Sequence, residues 1–250
     1  MTDAFLTIDD QPITPQQVIN YLQIGRKLEG FIGEIVRQFV IEREINQMPD
    51  LQVNTAAIEQ SVIDFRLQQQ LTDPQRFQQF LAANALTYES FHNQVAMGFK
   101  VQKLKETLAE SQLNEFFAQR KPFLDRVIIS RIIVQDKELA DELRSQLAEG
   151  AKFEQLAREY SLTDDKVMNG MVGPVSIGTM PEMLRSAIEA ARSGDVVGPL
   201  TMEERWGLFR VEEFLPASLE NPQIVQMLQE ELFEQWLAEK MQKLPIKLQA

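Results

Sequence analysis

At Val127 the apolar pattern of this chain changes period, and that change limits the folds open to it. Upstream, apolar residues recur at threes and fours, the spacing of amphipathic helices. From Val127 the sequence reads VIISRIIV, a β-branched, partly alternating run that suits a buried strand. A helical part must therefore pass into a part that contains sheet.

The upstream part divides into helices at its caps. Residues 5–13, FLTIDDQPI, form a short apolar stretch broken by an acidic turn. Thr14 before Pro15 supplies an N-cap oxygen and a proline at the first helical position, and the helix it opens carries Val18, Leu22 and Ile24. The next helix takes Phe31, Ile35, Phe39 and Ile45 as its apolar face and stops at Pro49. Asn54 caps a third, with Ile58, Val62, Phe65 and Leu67. Asp73-Pro74 opens a fourth, with Phe77, Phe80 and Leu81. Thr87 and Ser90 cap a long fifth helix through Phe91, Val95, Phe99 and Leu104, and Leu108 to Gln119 forms a sixth.

After the strand, Asp136 to Glu149 and Phe153 to Tyr160 are helical. Residues 163–181, with Gly170, Gly173, Gly178 and two prolines, read as a loop with room for one strand. Met183 to Ala191 is a helix, and Val196–Val197 and Leu208–Val211 are short strands. Past a polar linker at 216–222, Ile224 to Leu244 makes a helix bearing Leu228, Leu232, Phe233, Trp236, Leu237 and Met241. It is too apolar to stand in water, and the helical half is the surface it suits. The expected class is α+β: a helical domain from residues 1–120 plus 216–250, and an α+β module with a small antiparallel sheet from 121–215.

Composition narrows the chemistry. The net charge of −12 repels phosphate backbones, so nucleic acid is not an expected partner. The chain has no cysteine and one histidine, His92, which excludes thiol nucleophiles and transition-metal clusters; no metal and no cofactor are expected. His92 reads as a surface or half-buried polar residue. Asp164-Asp165 lacks a third acid at calcium-loop spacing and reads as a solvated turn or cap. The glycines of the loop do not precede a Lys-Ser/Thr pair, so no phosphate cradle is expected. Met168, Met171, Met180 and Met183 suit either an adaptable groove or ordinary core. No stretch approaches the length of a membrane span, and MTDAFLTIDDQPIT is acidic where a secretory leader is basic, so a cytoplasmic location is expected.

Two sets of phrases carry a family resemblance. Residues 126–215 run strand, helix, short helix, glycine-rich loop, helix, strand, with LAREYS early and VVGPLTMEERWGLFRVEEF at the end. This resembles a parvulin, a domain that isomerises peptide bonds preceding proline. FLTIDDQPITPQQVINYLQ, FQQFLAANALTYESFHNQVAMGFKVQKLK and LAESQLNEFFAQRKPFLDRVIISRIIV resemble, in order, the opening, the final helices and the exit of SurA-like chaperones. The resemblance implies a helical peptide-binding domain completed by the last helix, with a parvulin module.

The resemblance also implies where the site lies. The family histidine of the first strand is matched by Arg131. Its acid or cysteine ahead of the glycine step is matched by Met171, and its second histidine by Gly207. The proline pocket is matched by Met180 and Leu184, with Trp206 and Phe209 beside it. On this reading every polar group of the site is lost. An arginine in a packed strand is costly unless paired, so Arg131 must reach solvent or a carboxylate.

The expected function is a chaperone that binds unfolded or extended polypeptide, with weak or no isomerase activity; a narrower form is an accessory for a secretory client. Two alternatives stand beside it. One is an active peptidyl-prolyl isomerase rebuilt around Met180, Leu184 and Trp206, since twisting a prolyl bond needs no covalent step and an apolar, desolvated pocket lowers its barrier. The other is a non-enzymatic module for one folded partner.

Overall fold

The computed structural model describes residues 4–48, 51 and 53–248. The chain divides into two units, Met1–Ser111 with Gln229–Ala250, and Gln112–Leu228.

The first unit opens on a hairpin of β1 (Leu6–Ile8) and β2 (Gln11–Ile13). Asp9 and Asp10 both adopt positive φ at its turn, as a two-residue hairpin loop requires. Helix α1 (Pro15–Ile24) starts at a Thr14–Gln17 capping box, and α2 spans Leu28–Asn46. Pro49, the expected stop, lies outside the described residues. Asn54, Asp73 and Thr87 each cap the helix they were expected to open: α3 (Thr55–Gln68), α4 (Pro74–Ala83) and α5 (Tyr88–Ala109).

The face of α2 differs from the expected one. Val36, Val40, Ile41 and Ile45 are buried, while Phe31, Ile35 and Phe39 are exposed. Two apolar stripes run side by side on this helix, one residue apart, and periodicity alone does not rank them. Tertiary packing does: the buried stripe meets Leu104 of α5 and Phe233 and Leu237 of α10 (Pro222–Gln242). Ion pairs hold the same helices. Arg37 grips Glu234 with two bonds of 2.6 and 2.7 Å, Lys240 donates to both oxygens of Glu44 at 3.0 Å, and Lys105 pairs with Glu230. A second cluster of Val62, Phe77, Leu81 and Phe91 ties α3, α4 and α5 together. At its edge His92 Nε2 lies 2.9 Å from Glu59, a half-buried polar contact.

The second unit begins one helix earlier than expected. Helix α5 continues to Ala109, and α6 runs Leu113–Leu124 with Pro122 inside it. Lacking an N–H, Pro122 forgoes the helical bond to the carbonyl four residues back. Ser176 donates to the Phe123 carbonyl at 2.7 Å, and Gly178 lies so close to Pro122 that a Cβ would come 2.7 Å from the carbonyl oxygen of Pro122. These contacts tie α6 to the sheet module.

That module is a four-stranded antiparallel sheet in the order β4-β3-β6-β5, from β3 (Arg126–Val134), β4 (Met171–Ser176), β5 (Val196–Met202) and β6 (Arg205–Leu215). Strands β5 and β6 are longer than the expected short strands. A register shift between Val197 and Leu200 absorbs Gly198-Pro199, which the sequence presents as a break. Gly198 has φ +107°, and a Cβ there would stand 2.5 Å from the Gly207 carbonyl oxygen, so the close approach requires glycine.

Side chains alternate between two cores. On one face Val127, Ile129, Ile133, Phe209 and Val211 pack with Leu184 and Ile188 of α9 (Glu182–Glu189). On the other, Ile132, Val134 and Leu208 pack against α7 (Lys137–Ala148) and α8 (Phe153–Tyr160).

Candidate functional site

The ladder between β3 and β6 decides which residues share a site. Arg131 stands opposite Phe209, and Ile133 opposite Gly207. Residues directly opposite in an antiparallel pair project to the same side. Arg131, Ile133, Gly207 and Phe209 therefore face α9. Trp206 pairs with Val134 and packs with the α7–α8 core, and Met171 pairs with Ser130 on that same far side. The seven residues matched from the sequence are thus not one cluster: Arg131, Gly207, Phe209, Met180 and Leu184 share a face, and Met171 and Trp206 lie on the other.

A cleft of about 800 Å³ opens on the Arg131 side. Ile133, Pro181 and Met202 give it apolar walls; Arg131, Thr163, Thr201, Glu203, Glu204 and Arg205 give it polar ones. Leu184 and Phe209 are core residues, the latter 2% exposed, and Met180 packs partly on the same core. They support the cleft from behind rather than line it. Beside Gly207 the space is filled. A Cβ there would come 2.6 Å from the Phe209 ring and 3.0 Å from Ile133, so these two side chains occupy the volume that a histidine would need.

The carboxylate expected for Arg131 is present, and it begins a chain of bonds whose further members the sequence did not point to. Arg131, 35% exposed, donates through Nε to Asp165 Oδ2 at 2.7 Å. Asp165, 15% exposed, is no solvated turn: its Oδ1 accepts from the Thr163 hydroxyl at 2.6 Å. Thr163 Oγ1 in turn lies 2.9 Å from Ser161 Oγ, and buried Ser161 accepts from the Ile133 N–H at 3.2 Å. An arginine inside an aliphatic run signals a carboxylate partner, but only the fold shows that it comes from 34 residues on. Among the described residues Asp164 has no such side-chain bond. Gly170, φ +80°, closes the loop under the pair. Its carbonyl accepts from the Arg131 N–H at 2.8 Å, and a Cβ would stand 2.3 Å from the Arg131 oxygen.

This arrangement offers an apolar slot walled by Ile133, Pro181 and Met202, with fixed donors and hydroxyls beside it. Among the described residues no three His, Cys, Asp or Glu side chains gather as a metal site, and no helix is long and apolar enough to cross a membrane.

The sheet, its helices and this cleft define a rotamase-type module, and residues 130–213 match the family model of the PPIC-type PPIASE domain. The module is a parvulin, and the chain that carries it is homologous to PrsA foldases and to the SurA chaperone. Foldase protein PrsA 2 of Listeria innocua serovar 6a is 30% identical over 143 residues, which are 55% of this chain and 48% of that protein. Chaperone SurA of Yersinia pestis bv. Antiqua is 19% identical over 195 residues, 69% of this chain and 45% of that protein. The chain spans about half the length of the curated relatives it matches. The crystal structure of peptidylprolyl isomerase PrsA from Bacillus cereus aligns over 100% of this chain and 95% of that one, with a TM-score of 0.51 at 17% identity, which extends the shared fold to both units.

Proposed function

We propose that this protein is a foldase-type chaperone that binds extended polypeptide at prolyl bonds, using the cleft between Arg131, Thr163 and Met202. The observation that carries the proposal is that cleft itself. It is open, apolar where a proline ring would sit, and edged by polar groups already held in place. The names of the relatives, foldase and chaperone, support the same class.

A second reading, isomerisation of the bound prolyl bond, is favoured by the Arg131–Asp165–Thr163–Ser161 chain. Fixed dipoles beside a desolvated peptide lower the barrier to its twisting without covalent chemistry. The two readings separate in one set of assays. A prolyl tetrapeptide in excess relieves suppression of aggregation of an unfolded client if the cleft does the holding. NMR exchange between cis and trans peptide accelerates above the uncatalysed rate if the cleft also isomerises. No suppression at stoichiometric protein sinks the first reading, and an uncatalysed exchange rate sinks the second.

A further inference from the structure

The hydroxyl chain beside Arg131 has only one direction, and that direction decides what the cleft offers a ligand. Ser161 Oγ accepts from the Ile133 N–H. The single proton of Thr163 goes to Asp165. A hydroxyl has one proton, so the contact between Ser161 and Thr163 is made by the Ser161 proton. Thr163 then faces the cleft with an unused lone pair and no proton to give. Arg131 is the reverse. Asp165 takes its Nε, and among the described residues its two terminal nitrogens have no protein partner while the side chain lines the cleft.

The amide before a proline is also one-sided: it has a carbonyl acceptor and no N–H. We infer that the terminal N–H groups of Arg131 donate to the carbonyl of the residue preceding the bound proline, whose ring lies against Ile133, Pro181 and Met202. This rests on the reading of the cleft as a prolyl-peptide site and names the contact that orients the peptide there. Two other donors line the cleft, Thr201 and Arg205, and both are exposed. Arg131 is distinguished from them by the Asp165 clamp. A donor whose rotamer is already fixed loses less freedom on binding and needs no reorganisation as the carbonyl turns. Arg131 is thus assigned a direct part in recognition of the prolyl bond, at a position where the sequence suggested only a lost histidine.

A double-mutant cycle tests the contact. The probes are an Ala-Leu-Pro-Phe peptide and its analogue with sulfur in place of the leucine carbonyl oxygen, a weaker acceptor; the readout is Kd by NMR titration. Wild-type protein binds the oxygen peptide roughly tenfold more tightly than the sulfur one, the scale of a hydrogen bond to a charged group. In Arg131→Met, combined with Asp165→Asn so that no carboxylate is left unpaired, that preference disappears. Arg205→Met keeps it. Equal preference in wild type and the Arg131 variant overturns the contact while leaving the cleft as the binding site. Absence of any peptide binding by wild type overturns the cleft reading and this inference with it. Amide chemical shifts of the variants outside the cleft establish that they are folded.

Discussion

The two faces of the module's sheet are built from the same strands and diverge in what they can do. The face toward α7 and α8 is closed: Ile132, Val134 and Leu208 meet Ala140, Leu143, Phe153 and Leu156 in one buried cluster, with Trp206 packed on its edge. The face toward α9 is closed over Val127, Ile129, Phe209 and Val211 but stops short at Arg131, where the cleft begins. The difference comes from one alternation along β3 and β6. Shifting β6 by one residue would put Trp206 in place of Gly207 on the α9 side. The family resemblance implied Trp206 beside the proline pocket, and register sets it on the other face.

The comparison can be broken most forcefully at Phe209. Its ring fills the space beside Gly207, so Phe209→Ala leaves a cavity and costs about 3–5 kcal/mol of unfolding free energy in a denaturant titration. Gly207→His tests the same packing from the other side. The added ring collides with Phe209 and Ile133, and overpacking of this kind costs about 1–3 kcal/mol. If Gly207→His were neutral, the space would not be filled and the account of this face would be wrong.

A smaller effect separates function from packing across the two faces. Met202→Ala removes an apolar wall of the cleft and weakens prolyl-peptide binding by roughly tenfold, the scale of one hydrophobic subsite. Trp206→Ala destabilises the α7–α8 face and leaves the peptide Kd within about twofold. Equal losses in the two variants would erase the distinction between the faces.

The smallest expected effect is electrostatic. On the far face the Arg210 guanidinium holds the Glu154 carboxyl below the usual carboxylate range, and in the helical unit Arg37 does the same to Glu234. A carboxylate whose folded value lies below its unfolded value stabilises the fold above the ordinary carboxylate range. That contribution is lost as pH falls through the lowered value. Stability followed by denaturant midpoint therefore stays level from neutral pH down to that range and declines below it, and Glu154→Gln with Glu234→Gln shallows the decline. Both carboxylates are well exposed, so solvent screening keeps the change small.

What the sequence made legible follows from the range of the interactions involved. Thr14, Asn54, Asp73 and Thr87 were readable as caps because a cap is a bond across two or three residues. The passage from helical half to sheet module was readable because period and β-branching change together at Val127. The buried stripe of α2 was not, because Phe31, Ile35 and Phe39 repeat as regularly as Ile32, Val36 and Val40, and the choice is made by α5 and α10. The site was half readable. Arg131 called for a carboxylate, and its partner Asp165 was dismissed because nothing local joins position 131 to position 165. Met171 was placed beside Arg131 by motif order, whereas irregular register between β3 and β4 at Ile129/Ser130 sets it opposite Ser130, on the far side.

The most direct test of the central claim is a map of amide shifts on isotope-labelled protein titrated with a prolyl peptide. The account predicts saturable changes at Arg131, Ile133, Thr163, Met202 and Arg205, with Met171 and the α7–α8 face unmoved. Changes confined to the Trp206 side of the sheet, or to the exposed Phe31–Phe39 stripe of the helical unit, would contradict it.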